Sequence, residues 1–232
     1  MAGAFLASNP RLALAAGGTG ATVLVVGDSL SAEYGLKRGA GWVALLERKL
    51  AAEKVASTVV NASISGDTTS GGRARLGALL ARHKPSHVVI ELGGNAALRG
   101  LPLQMTEDNL TEMVKASQKA GARVLLVGIQ LPPNYGGAYG DRFSGIFEKV
   151  ARQQRASVVP FLLKGVADGP DALRLFQADR IHPTEAAQAP MLANVWPELK
   201  KLLDEADAPR TARASGNGNG SGKADVAKAA VK

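Results

Sequence analysis

The chain has 232 residues, 46% of them hydrophobic, which is enough for one sizeable core but not for two. It has no cysteine, which excludes a disulfide framework, a thiolate nucleophile and a cysteine-based metal site. Half of the +8 net charge lies beyond Pro209, where Arg210, Arg213, Lys223, Lys228 and Lys232 face only Asp225, so nucleic acid is not an expected partner.

Residues 1–21 are rich in small and apolar side chains, with Leu12-Ala13-Leu14-Ala15-Ala16 at their centre and no basic residue ahead of Phe5-Leu6. They read as a leader or signal-peptide remnant. No stretch reaches ~18 consecutive apolar residues, so no membrane-spanning helix is expected. The first strand is the β-branched run Thr22-Val23-Leu24-Val25-Val26, which ends in Gly27-Asp28-Ser29-Leu30-Ser31. Trp42, Leu45, Leu46 and Leu50 then mark one face of a helix over 41–54. A second strand over 55–62 leads into the loop Ser63-Ile64-Ser65-Gly66-Asp67-Thr68-Thr69. A helix through Leu76, Leu79 and Leu80 follows and stops before Pro85.

A third strand, His87 to Leu92, runs into Gly93-Gly94-Asn95, and helical spacing resumes over 103–119 with Gly121 as its stop. A fourth strand, Arg123 to Gly128, enters the turn-rich 131–137. Residues 141–155 form a helix with Phe143, Ile146, Phe147 and Val150 inward, and a fifth strand covers 157–163. A long loop containing Asp179-Arg180-Ile181-His182-Pro183 precedes the last helical region. There Leu192, Val195, Trp196, Leu199, Leu202 and Leu203 recur at helical intervals, and Pro197 is expected to kink or restart the helix. Residues 206–232 read as a disordered basic low-complexity tail. Alternating strands and helices predict one α/β/α domain over 22–205, built on a parallel sheet with both faces covered.

In a parallel sheet, the loops after all strands open on one edge, where ligands bind. Ser29 follows strand one, Gly66 strand two, Asn95 strand three, and Asp179 with His182 strand five. Together they form an inventory for acyl transfer. A serine hydroxyl needs an imidazole to take its proton, and His182 sits in a polar loop suited to that. Asp179, three residues earlier, is placed to accept the imidazole Nδ1–H. The backbone N–H groups of Ser29 and Gly66 and the Asn95 amide are candidate oxyanion donors. Each element has a plainer reading: a helix cap at Gly27-Asp28-Ser29, an ordinary turn at Gly93-Gly94-Asn95, helix-start residues before Pro183. Asp28 is expected to brace the loop rather than react. His83 and His87 are expected to be structural, flanking a helix-to-strand turn, three histidines leave little room for a histidine-rich metal centre, and no metal site is expected.

Gly-Asp-Ser-Leu-Ser at 27–31, Gly66, Gly-Gly-Asn at 93–95 and Asp-x-x-His at 179–182 resemble the four sequence blocks of the SGNH (GDSL) hydrolases. The closer resemblance is to the bacterial arylesterase and acyl-CoA thioesterase I (protease I, lysophospholipase) branch, over residues 22–203. It is supported by Asn61 to Thr69, Glu91 to Asn95 and Leu131 to Gly136. The resemblance implies a flavodoxin-like, five-stranded α/β/α sandwich with no cofactor and a small-molecule acyl ester or thioester as substrate. It implies Ser29 as nucleophile, Asp179 and His182 as its partners, and Ser29, Gly66 and Asn95 as the oxyanion hole. Many relatives are exported to the periplasm, which favours the signal-remnant reading of residues 1–21. Related sequences usually carry Asp-Gly where this chain has Ala96-Ala97, which bears on the shape of that loop. A carbohydrate O-acetyl esterase and a non-catalytic binding module are the alternatives. Tyr135, Tyr139, Phe143 and Leu173 to Phe176 are candidates for an acyl groove, with core packing as the plainer role.

Overall fold

The computed structural model describes residues 20–207; the expected leader up to Thr19 and the expected tail from Ala208 lie outside the described residues. Strand β1 (Ala21–Gly27) is followed by α1 (Trp42–Ala52), β2 (Ser57–Asn61), α2 (Thr69–His83) and β3 (His87–Glu91). Then come α3 (Gly94–Leu98), α4 (Leu103–Lys119), β4 (Arg123–Val127), α5 (Gly137–Gln154), β5 (Ser157–Val159), α6 (Ala172–Leu175) and α7 (Gln188–Asp207). All strand pairs are parallel, in the order β2-β1-β3-β4-β5. That is the flavodoxin-like order, which reverses direction between β1 and β3. Helices α1 and α7 cover one face of the sheet, and α2, α4 and α5 cover the other.

Apolar burial accounts for this arrangement. Val23 to Val26, Val88 to Ile90 and Leu125 to Val127 have no exposed surface, because a central parallel strand is covered on both faces. Trp42, Leu46 and Leu50 present the buried stripe of α1, and Phe143 and Phe147 meet edge to face under α5, with ring centroids 5.5 Å apart. Each fully buried Leu, Val or Phe contributes about 1.5–3 kcal/mol. Among the described residues, no helix is long and apolar enough to cross a membrane.

Three local expectations are revised. Helix α5 begins at Gly137, four residues before 141, because its first turn contains glycines that send no helical signal. Strand β5 ends at Val159: Pro160 has no N–H for a ladder, although Phe161 to Leu163 stay buried. Helix α7 runs unbroken through Pro197, with Val195 and Leu199 fully buried on either side; their burial outweighs the lost hydrogen bond. Gly93-Gly94-Asn95 leads into the short helix α3, with the Ala97 N–H donating to Gly93 O at 3.0 Å. Ala96 and Ala97 are buried within it, and the Tyr139 hydroxyl donates to Ala97 O at 3.3 Å, so small apolar residues support this loop by packing. His83 ends α2 and His87 begins β3, where the His87 ring lies 2.9 Å from Ser86 Oγ and 3.2 Å from Leu202 O, a structural placement as expected.

Candidate active site

Because the sheet reverses direction between β1 and β3, a crevice opens there at the carboxyl edge, and Ser29 and Asn95 flank it. The His182 loop reaches the crevice from beyond β5. An isolated antiparallel bridge, Phe176 to Pro183, closes that loop, and the Gln177 N–H donates to His182 O at 2.8 Å. At its tip, Asp179 Oδ1 accepts the N–H groups of Ile181 (2.9 Å) and His182 (3.0 Å), an Asx turn that puts Arg180 at φ 58°.

Three predicted residues form one chain of contacts. Asp179 Oδ2 lies 2.7 Å from His182 Nδ1, and His182 Nε2 lies 2.9 Å from Ser29 Oγ. The backbone N–H of His182, then its imidazole and the Ile181 N–H, hold the Asp179 carboxyl at about 2. Asp179 is therefore ionised and can only accept, so Nδ1 carries the proton. In the neutral ring Nε2 is then left as the acceptor facing the serine hydroxyl. The tautomer follows from the carboxylate.

Of the candidate oxyanion donors, Ser29 and Asn95 line this crevice and Gly66 does not. Gly66 is held at φ +79°, a left-handed conformation that a side chain disfavours, and its carbonyl accepts Arg99 Nη2 at 3.2 Å. No hydrogen bond among the described residues uses the Ser29 or Gly66 N–H, so both remain available to a ligand. Asn95 Nδ2 donates one proton to Asp28 Oδ2 at 2.9 Å, which orients the amide and leaves its second proton unengaged.

Asp28 braces this corner, as its position beside Ser29 suggests. Its Oδ1 accepts the Leu30 N–H at 3.1 Å, and burial raises its carboxyl to about 6 against the opposing pull of Leu30, Asn95 and His182. Beneath it, fully buried Glu91 accepts the Ser31 hydroxyl at 2.7 Å and the Asp28 N–H at 3.4 Å through Oε2. Burial, reinforced by the Asp28 charge, pushes Glu91 well above the usual carboxylate range. Sequence pattern places Glu91 within an apolar strand and in a stretch that supports the resemblance but assigns it no role, and its contact with Ser31 spans sixty positions.

The crevice encloses about 220 Å³ between Leu30, Leu98, Ile129, Leu131, Pro132 and Ile181, with Ser29, Asn95 and His182 at its polar end. Its walls suit an apolar acyl or aryl group. The anticipated groove residues lie elsewhere: Phe143 is core, and Tyr139 borders a larger hollow of about 600 Å³ between α4 and α5. That hollow contains neither Ser29 nor His182, so its size carries no chemistry.

A doubly wound parallel sheet with Ser, His and Asp in one hydrogen-bonded line at its switch point is the arrangement that a serine-type acyl hydrolase of the α/β class requires. The chain belongs to the GDSL-like lipase/acylhydrolase family, whose profile matches residues 25–189. It is 54% identical over 182 residues to the esterase TesA of Pseudomonas aeruginosa, covering 78% of this chain and 89% of that protein. It is 44% identical over 173 residues to the thioesterase 1/protease 1/lysophospholipase of Escherichia coli, covering 75% and 80%. A crystal structure of TesA superposes with a TM-score of 0.75 at 54% identity, over 78% of this chain and 99% of that one. The psychrotrophic esterase EstA from Pseudoalteromonas, solved as inhibited by monoethylphosphonate, superposes with a TM-score of 0.73 at 42% identity, over 79% and 98%.

Proposed function

We propose that residues 22–205 form the catalytic unit of an esterase and thioesterase that works through a covalent acyl-enzyme on Ser29. The observation that carries this reading is the unbroken line Asp179–His182–Ser29, with separations of 2.7 and 2.9 Å. As Ser29 Oγ attacks the acyl carbonyl carbon, its proton passes to His182 Nε2 and the carbonyl oxygen becomes an oxyanion. Asp179 stabilises the imidazolium, while the N–H groups of Ser29 and Gly66 and the free Asn95 N–H receive the oxyanion. His182 then gives its proton to the departing alkoxide or thiolate, which leaves as alcohol or thiol, and Ser29 keeps the acyl group. Water attacks with the same proton relay, releasing the carboxylic acid and restoring the serine.

The apolar crevice, about 220 Å³ in volume, favours acyl or aryl groups over sugars. Thioesters and oxyesters share the tetrahedral step, so both leaving groups fit the mechanism. The test is turnover of a chain-length series of p-nitrophenyl acyl esters and acyl-CoA thioesters by wild type and Ser29→Ala. Ser29→Ala is expected to lose nearly all turnover, on the order of 10⁶-fold as when a triad nucleophile is deleted, and to lose labelling by a fluorophosphonate. Turnover within tenfold of wild type would overturn the assignment, and a series confined to acetate would overturn the apolar-acyl substrate class.

A further inference from the structure

The His182 imidazole has a third neighbour besides Ser29 and Asp179. Tyr34 lies in the loop after β1, and its ring centroid stands 4.2 Å from that of His182, with the planes tilted by 35°. Tyr34 is 49% exposed, so hydrophobic burial does not explain its placement. Its hydroxyl has no hydrogen-bond partner among the described residues, so that group does not explain it either. What remains in contact is the ring face.

The backbone around Tyr34 is built to hold that contact. Glu33 and Gly35 on either side adopt φ 60° and 70°. The Glu33 carboxylate accepts the N–H groups of Gly39 (3.0 Å) and Gly41 (2.9 Å), closing the loop on itself. Gln177 then ties it to the His182 loop. Its Nε2 donates to Tyr34 O at 2.9 Å and to Pro183 O at 3.1 Å, while its N–H holds His182 O. A Cβ on Gly35 would meet Gln177 Oε1 at 2.1 Å, so glycine permits the close approach. One glutamine thus joins the backbones that carry the two stacked rings.

We propose that Tyr34 is a positioning residue for His182: its ring covers one imidazole face, holding the ring edge-on between Asp179 and Ser29 and favouring the imidazolium that forms when Ser29 is deprotonated. An aromatic face carries negative charge density, so it attracts a cationic ring more strongly than a neutral one. The effect is greatest where the carboxylate partner is wet. The Asp179 side chain is 37% exposed, so water screens its charge, while the Tyr34 ring removes water from the imidazole itself. Tyr34 does not border the crevice, so its contribution belongs to the proton transfer and not to substrate affinity.

This inference rests on the reading of Ser29 and His182 as nucleophile and base, and Ser29→Ala assayed alongside separates the two. Tyr34→Phe keeps the ring face, and Tyr34→Leu keeps apolar bulk without it. Phe is expected to stay within twofold of wild type, while Leu loses roughly tenfold in kcat with KM within twofold, the scale of a partly desolvated cation–π contact. The second-order rate of fluorophosphonate labelling, which needs the same proton transfer, falls in the same proportion. Gln177→Ala, which releases the two loops without touching either ring, lowers kcat severalfold in the same pattern and serves if Leu does not fold. Leu at wild-type kcat, a raised KM at unchanged kcat, or an equal loss in Phe would each overturn the role of the ring face. If Ser29→Ala keeps turnover, the parent assignment falls instead.

Discussion

Asp28 gives the sharpest quantitative expectation. Its carboxyl, ordinarily at 3.8, stays protonated up to about 6 in the folded protein, chiefly because it is buried. At neutral pH the fold therefore carries a buried carboxylate at a cost of about 3 kcal/mol, taking 1.36 kcal/mol for each tenfold change in proton affinity. The sign follows from proton counts. Between pH 4 and 6 the native state binds more protons at this site than the unfolded chain does, so its contribution to stability is full below pH 4 and lost as pH rises through 6. Asp28→Asn removes that dependence. It also costs a hydrogen bond of about 1–2 kcal/mol, since an amide offers an acceptor to the Leu30 N–H or to Asn95 Nδ2 but not to both. The variant is thus expected to be less stable than wild type at pH 4 and more stable at pH 7, with kcat down roughly tenfold as Asn95 loses its orientation. Urea unfolding across pH 4–7, with m held constant between the two proteins, gives the difference curve. A curve flat to within about 0.5 kcal/mol would refute the reasoning, because burial would then not be raising this carboxyl.

Two further substitutions test the site and the sheet that carries it. Asn95→Ala removes a candidate oxyanion donor and is expected to cost roughly 10²–10³ in kcat; a raised KM at unchanged kcat would make Asn95 a substrate-positioning group instead. Gly128→Ala would place a Cβ 2.3 Å from Pro160 O and 3.1 Å from Val159 O, where β4 meets the chain leaving β5. Backbone cannot yield as a side chain would, so about 3 kcal/mol of stability and roughly 6–12 °C of melting temperature should go. An unchanged melting temperature would show that the β4–β5 edge relaxes freely.

Sequence pattern located most of the candidate site because the proposed chemistry is bound to residue types that folding alone does not require. A strand needs Val23 to Val26, but nothing in strand formation calls for Asp-Ser-Leu after Gly27, or for Asp179 three residues before His182. Elements with helical periodicity were legible for the same kind of reason: the helix expected over 103–119 is α4 to the residue, since Leu103, Leu110, Met113 and Val114 recur at helical spacing although Thr106, Asn109 and Ser117 are buried beside them. Where local signal and burial disagree, pattern failed. Pro197 argues for a break that the buried flanks of α7 override, and Pro160 ends a strand whose apolar run continues to Leu163.

The chain carries its candidate nucleophile, its candidate base and the succession of its strands as local chemistry. The distances between them are set by the packed sheet. Hydrophobic period tells that β1 and β3 are buried strands, but not that they are neighbours at a reversal, which alone brings Ser29 opposite Asn95. Nor does any local signal tie Gln177 to Tyr34 across 143 positions, or stand Glu91 beneath Asp28. Such contacts are non-local hydrogen bonds and ring contacts between single residues. They leave no periodicity in the sequence, and they exist only once the sheet has closed.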